Sequence, residues 1–309
     1  SKVISNFKWK SLKGFIMSEN ILVSVLILAY NAEGYIVELL ESIKNQTYRD
    51  IEIIISDDAS KDATVKIAQT WKETNQSGFE KMIIRSSKQN QGVVKNANLG
   101  FELCSGRYIK VIAADDKLAP ECIAHMVHAC EEKNYPVLLG RMQSFYQGDD
   151  LQDMPVNFEF YDMNAGEQYK HLLQVNECAA PTALYRKDFL KEMDWFDENY
   201  PAMEDYPFWL KITEKGVRIP FMNETVVYYR RNDSSVTSTT GTKMVGESYF
   251  KSYKKFFYDR KIKPMAENHY YRDICRECKE FLYKDLLLFC GNKRGSRATT
   301  LLTRIFYGK

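Results

Sequence analysis

No stretch of this 309-residue chain is both long and apolar enough to span a bilayer. The longest mainly apolar run covers residues 21–30, whereas a spanning helix needs about 20 residues. The basic start leads into no apolar stretch with a small-residue cleavage site, so no secretory signal is read. The seven cysteines are an odd number without framework spacing. That excludes a disulfide-stapled small domain and points to a reducing, cytoplasmic setting. Cys275 and Cys278 form a C-x-x-C, with Cys290 and His269 the nearest candidate partners. Two cysteines on adjacent turns of one helix is the simpler reading. No internal repeat shows at a fixed period, which argues against a solenoid. A P-loop, a G-x-G-x-x-G and an H-E-x-x-H are all missing, so no glycine-rich phosphate cradle or zincin helix is expected.

What is present describes an ordinary globular protein. Apolar residues make up 45% and charged residues 27%, which excludes disorder and a collagen-like repeat. The length suits one large α/β domain with an appendage, or two domains. The formal charge of +2 hides an asymmetry. Residues 243–309 carry 16 Lys and Arg against 7 Asp and Glu, and residues 1–242 carry 27 against 34. An acidic front argues against nucleic acid there. A basic, aromatic-rich tail suits an anionic membrane surface, or a solvated helical face. Residues 1–16 are read as a leader or as added or upstream sequence, because Met17 is a plausible start.

From residue 21 the pattern alternates. β-rich apolar runs at 21–28, 51–56, 81–86 and 108–113 read as strands buried on both faces. Helical periodicity separates them at 32–45, 63–74 and 93–104, and follows them at 120–133. This is the signature of a parallel α/β sheet. Residues 147–166 read as a polar, acidic loop. Helices are expected near 168–175 and 206–215, and a short strand at 226–230. Residues 232–246 are rich in Ser, Thr and Gly and read as a linker or lid; the rest reads as helical.

Ligands of parallel α/β sheets bind at the carboxyl ends of the strands. The residues there are Ala29-Tyr30-Asn31, Ser56-Asp57-Asp58, Asn90-Gln91-Gly92 and Asp115-Asp116. One carboxylate pair can be a helix cap. Two on one edge repel each other and call for a cation or donors. Asp115 and Asp116 offer hard oxygen ligands for Mg²⁺ or Mn²⁺, with substrate phosphates completing the shell. Asp57 can accept from base N–H groups while Tyr30 stacks on the base. Ser60 with Asp62 reads as a helix start. Glu204-Asp205 precedes Tyr206, Pro207, Phe208 and Trp209. Apolar surroundings raise a carboxylate towards general-base range, although the pair also fits a helix cap.

These residues occur in ordered blocks: SVLILAYN at 24–31, SIKNQTYRDIEIIISDDAS at 42–60, NQGVVKNAN at 90–98, GRYIKVIAADD at 106–116, FDE at 196–198, EDYPFW at 204–209 and YRRNDSSV at 229–236. Together they resemble bacterial family 2 glycosyltransferases, above all those that build O-antigen and capsular repeat units. The resemblance implies a GT-A fold over 17–238, with 239–309 a helical C-terminal extension. It implies a UDP-sugar donor, inversion at the anomeric carbon and a divalent cation. By position, Ala29, Tyr30, Asn31, Asp57 and Asp58 would line the nucleotide, with Asn90, Lys95 and Asp116 in the donor pocket. Asp115 would hold Mn²⁺ or Mg²⁺, Asp205 would be the general base, and Glu204 and Trp209 would shape the acceptor side. Acceptors in such enzymes are saccharides, often carried on polyprenyl diphosphate at the inner face of the cytoplasmic membrane.

Three positions depart from the family pattern. Ala113 replaces the first aspartate of the D-x-D block, Ala59 replaces the usual glycine, and Asn232 stands where many relatives have histidine. Arg230 or Arg231 would then carry the phosphate. Two competing readings are a nucleotidyltransferase, which lacks a triphosphate loop here, and a binding protein without turnover, which the intact Glu204-Asp205 pair disfavours.

Overall fold

The computed structural model describes residues 21–146, 150–231 and 244–308. Strands β1 (Val23–Ala29), β2 (Ile51–Asp57), β3 (Lys81–Ser86) and β4 (Tyr108–Ala113) pair in parallel in the order β3-β2-β1-β4. Helices α1 (Ile36–Lys44), α2 (Thr64–Asn75) and α3 (Val93–Phe101) form the crossovers. β1 and β2 are near-continuous apolar runs because helices cover both sheet faces. α1 turns Ile36, Leu39, Leu40 and Ile43 inwards. On the other face α3 packs so closely that a Cβ at Gly100 would sit 2.4 Å from Leu26 Cδ1. Strand order reverses between β1 and β4, leaving a crevice beyond their carboxyl ends.

The second half extends this sheet. Here follow β5 (Lys117–Leu118), α4 (Cys122–Lys133), β6 (Val137–Phe145), β7 (Gln152–Asp153), α5 (Phe158–Asp162), α6 (Ala165–Leu172), β8 (Leu184–Arg186), α7 (Lys187–Glu192), α8 (Asp205–Glu214) and β9 (Phe221–Arg230). Antiparallel β8 sits between β4 and β6; β9 pairs in parallel with β6, and β5 antiparallel with β9. The segment that enters β8 therefore lies at the carboxyl end of β4. A tyrosine and a phenylalanine cluster in 158–161 makes α5 out of part of the expected loop: Phe160 is fully buried, and Tyr161 stacks on Phe221 at 4.3 Å. α6 starts earlier than expected, because Asn164 and Glu167 form a capping box. α1 starts later, because the Ala32 amide is held by Thr64 Oγ1 at 2.7 Å.

The C-terminal helices α9 (Glu247–Phe256), α10 (Ile262–Glu267), α11 (Tyr271–Phe289) and α12 (Arg297–Tyr307) follow. No helix among the described residues is long and apolar enough to cross a membrane. Phe250, Phe256, Phe257 and Phe281 join the same hydrophobic core as Leu26, Trp209 and Phe208. A π-helical turn over Phe257–Lys261 lets the consecutive Phe256 and Phe257 both be buried. Cys275 and Cys278 lie one turn apart on α11.

Candidate active site

At the carboxyl end of β2, Asp57 is fully buried. Its carboxylate accepts from the Ser60 amide at 3.1 Å, from Ser60 Oγ and from Ser86 Oγ at 2.7 Å. Ser60 Oγ also accepts the Asn31 amide at 2.9 Å, and Asn31 Oδ1 accepts the Lys61 amide at 2.8 Å. Ser60 thus bridges the loops after β1 and β2. Of the expected helix start at Ser60 and Asp62, Asp62 fills the role: it accepts the Thr64 amide at 3.0 Å. Tyr30, 52% exposed, stands at the rim of this platform. Ala29 ends β1, and its carbonyl accepts the Asp58 amide at 2.9 Å.

Asp58 faces the other way. Its two oxygens accept the Gln91 and Gly92 amides at 2.8 and 2.9 Å. The carboxylate expected on the nucleotide therefore pins the loop ahead of α3. Asn90, exposed, caps Gly92 from the same loop, and Lys95 is exposed on the first turns of α3. Gly92 has φ +87°, and a Cβ there would sit 3.0 Å from the Pro201 carbonyl oxygen.

Beyond β4, Asp115 is half-buried and Asp116 buried. Asp116 Oδ1 accepts the Arg230 amide at 2.9 Å, while its Oδ2 has no hydrogen-bond partner among the described residues. Burial, aided by the nearby Asp115 charge, pushes Asp116 up to about 8. One carboxyl oxygen is thus left over for a ligand. Arg230 is sandwiched between Tyr35 and Phe145, its guanidinium carbon 4.8 and 4.5 Å from the ring centroids. It donates to the Asp115 carbonyl at 2.9 Å and to Glu38 at 2.8 Å. The expected phosphate ligand is therefore a strut that ties the Asp115 loop to α1. Burial works against the Glu38 charge, but the Arg230 hydrogen bond and charge win and lower its pKa. Arg231 remains exposed at the end of β9, with its amide bonded to the Phe145 carbonyl at 2.8 Å. Asn232 and most of the expected lid lie outside the described residues, as do residues 1–16.

Lys110, inside β4, is fully buried and donates to the carbonyls of Pro181 and Ala183. Burial pulls it down to about 8. It fastens the 176–183 segment to the sheet beside Asp116. Asn176, at the start of that segment, donates to Asp205 at 3.0 Å. One short segment thus joins the β4 end to Glu204 and Asp205.

Glu204 stands at the N-cap of α8, with no side-chain capping bond, and Asp205 opens the helix. Burial, then the Asp205 charge, pushes Glu204 up to about 7. Burial also raises Asp205, against the Tyr206 amide and Asn176, which favour its ionised form. A helix N-terminus adds favourable partial charge. Trp209 is fully buried and stacks on Tyr185 at 5.9 Å. It cannot form an acceptor wall, contrary to the expectation. Its indole N–H has no full hydrogen bond among the described residues, yet it favours the Asp205 charge.

Neither Asn176 nor Glu38 gave a signal in the sequence. Lys110 did: it is the one charge in the strand YIKVIA.

The geometry suits a small set of ligands. Three or more His, Cys, Asp or Glu gathered as a metal cage do not occur among the described residues. One half-buried carboxylate beside an orphaned carboxyl oxygen fits a cation whose remaining ligands come from phosphates.

The family model described as glycosyl transferase family 2 matches residues 24–194. The Escherichia coli UDP-Glc:alpha-D-GlcNAc-diphosphoundecaprenol beta-1,3-glucosyltransferase WfaP is 27% identical over 227 residues, covering 74% of this chain and 84% of that protein. A Haemophilus influenzae glycosyltransferase is 29% identical over 229 residues, 70% and 68% of the two chains. Among solved structures, Staphylococcus aureus TarS with UDP-GlcNAc superposes with a TM-score of 0.59 at 21% identity. That match covers 75% of this chain, which spans 64% of the TarS chain. A Pyrobaculum calidifontis mannosyltransferase in complex with GDP-Man and Mn²⁺ gives 0.52 at 18%, covering 68% and 57%.

Proposed function

Because the chain belongs to glycosyl transferase family 2 and has the GT-A fold, we propose that it moves a sugar, with inversion, from a UDP-sugar to a saccharide hydroxyl. The acceptor in this reading is carried on a polyprenyl diphosphate, as the name of WfaP states for that relative. O-antigen or capsule assembly at the inner face of the cytoplasmic membrane follows as its setting.

The observation that carries the reading is the Glu204-Asp205 pair. Asn176 and Lys110 tether it, through one segment, to the sheet edge that holds Asp115 and Asp116. Asp205 takes the proton from the acceptor hydroxyl as that oxygen attacks the anomeric carbon. Burial raises its basicity, and the Asn176 amide fixes its orientation. Glu204, pushed up to about 7 by burial and by the Asp205 charge, lies beside it on the acceptor side. Tyr30 stacks on the base, Ala29 and Asn31 supply the floor, and the buried Asp57 holds that floor in place through Ser60. Asn90, Lys95 and Arg231 approach the donor's sugar and phosphates. Bound Mn²⁺ or Mg²⁺ at Asp115 would supply Lewis-acid stabilisation to the departing diphosphate.

Asp115→Ala tests the donor site. It is expected to abolish the metal-dependent part of UDP binding, read by calorimetry. Undiminished metal dependence would refute the Asp115 assignment.

A further inference from the structure

We propose that the outer face of α12 is a docking surface for an anionic phospholipid bilayer. The helix is firmly delimited. Ser296 caps its start by accepting the Thr299 amide at 3.2 Å, and Gly308 ends it with φ +68°. Its inner face packs on α11: Phe306 lies 5.2 Å from the Tyr283 ring, and Thr303 Oγ1 is 2.9 Å from the Tyr283 hydroxyl.

The opposite face is unusual. Arg297, Leu301, Arg304 and Ile305 fall at i, i+4, i+7 and i+8 and share one side of the helix. Leu301 is 59% exposed and Ile305 67%, while both arginines are exposed. Neither Arg297 nor Arg304 forms an ion pair among the described residues. Phe289, at the end of α11, is 89% exposed. From residue 286 to 309 there is no Asp or Glu, against five Lys and Arg. On α9, by contrast, Lys254 and Lys255 are matched to Asp285 and Asp259.

Aliphatic side chains between arginines fit the boundary of headgroups and acyl chains, where the charge meets lipid phosphate and the apolar tips enter the bilayer. Nucleic acid would reward the arginines and leave Leu301 and Ile305 in water. A symmetric second copy would bring basic faces together. Such docking would hold the chain beside a lipid-linked acceptor, and for that use it rests on the function proposed above. The binding itself needs no acceptor.

The experiment is flotation of the full chain with vesicles of phosphatidylglycerol and phosphatidylethanolamine, against vesicles of phosphatidylcholine alone. UDP release with a soluble acceptor is measured in parallel. The wild type is expected to float with the anionic vesicles only, and to be released by high salt. Arg297→Gln and Arg304→Gln should each weaken partitioning about five-fold, and together about thirty-fold. Leu301→Ser with Ile305→Ser should also release the protein. Turnover of a soluble acceptor should be unchanged in all of these exposed-site variants. No flotation of the wild type, equal flotation with phosphatidylcholine, or flotation indifferent to the four substitutions would each overturn the proposal. So would self-association in the absence of vesicles that the same substitutions abolish. Flotation without turnover of any donor would instead count against the enzymatic reading alone.

Discussion

Replacing Glu204 by Gln should flatten the pH dependence of stability. In the unfolded chain Glu204 titrates near 4.5; in the folded protein it does so at about 7. Between those values the native state keeps a proton that the unfolded state has released. Stability must therefore fall as pH rises through this window, with the full cost felt above 7 and none below 4.5. The shift corresponds to about 3 kcal/mol. That is an upper bound, because the pair is half-buried and partly screened. Asp205 and Asp116 are also raised and contribute slopes of the same sign. Asp205 loses its charged neighbour in the variant, so the difference between the two proteins reports the coupled pair. Urea denaturation at pH 5 and pH 8 provides the assay. The stability of Glu204→Gln relative to wild type should rise between these two conditions, by up to about 3 kcal/mol. Parallel pH profiles would refute the burial and coupling on which the proposed base depends.

Other outcomes follow from the same structure. Ala59 sits at φ +65°, where a Cβ costs roughly 1–2 kcal/mol. Ala59→Gly should therefore stabilise by about 0.5–1 kcal/mol in denaturant titrations, and a loss would count against that loop conformation. Gly92→Ala, strained at φ +87° and 3.0 Å from Pro201 O, should lose about 1–3 kcal/mol and lower the melting temperature. Arg230→Lys should cost about 1–3 kcal/mol, since an ammonium cannot fork between Glu38 and the Asp115 carbonyl. An unchanged melting temperature would show that the strut carries no weight.

Much of the first half was legible because each of its signals is local. Strands buried on both faces give unbroken apolar runs, and their crossover helices give clean periodicity. The second half was not, and the reason is physical. β8 has three residues and β5 two, and their strand identity comes from partners far along the chain. β6 gives no clear signal although it has nine residues, because Arg141-Met142-Gln143 within it is only half-buried and breaks the apolar run. At the site, residue type located the carboxylates but not their loyalties. Asp57 and Asp58 are neighbours in sequence, yet one meets Ser60 and Ser86 while the other holds the backbone of 91–92. Arg230 and Trp209 were placed on ligands by analogy, whereas packing commits them to Glu38 and to Tyr185. The usual glycine at position 59 has its reason in the left-handed backbone that Ala59 adopts.

The proposed role of Asp205 as general base is tested by UDP release across a panel of UDP-sugars with a GlcNAc-diphosphate-lipid acceptor and Mn²⁺, comparing wild type with Asp205→Asn. Acceptor-stimulated release from one donor is expected, about 10²–10⁴-fold slower in the variant, with UDP binding retained. Equal turnover by the two proteins would contradict that role.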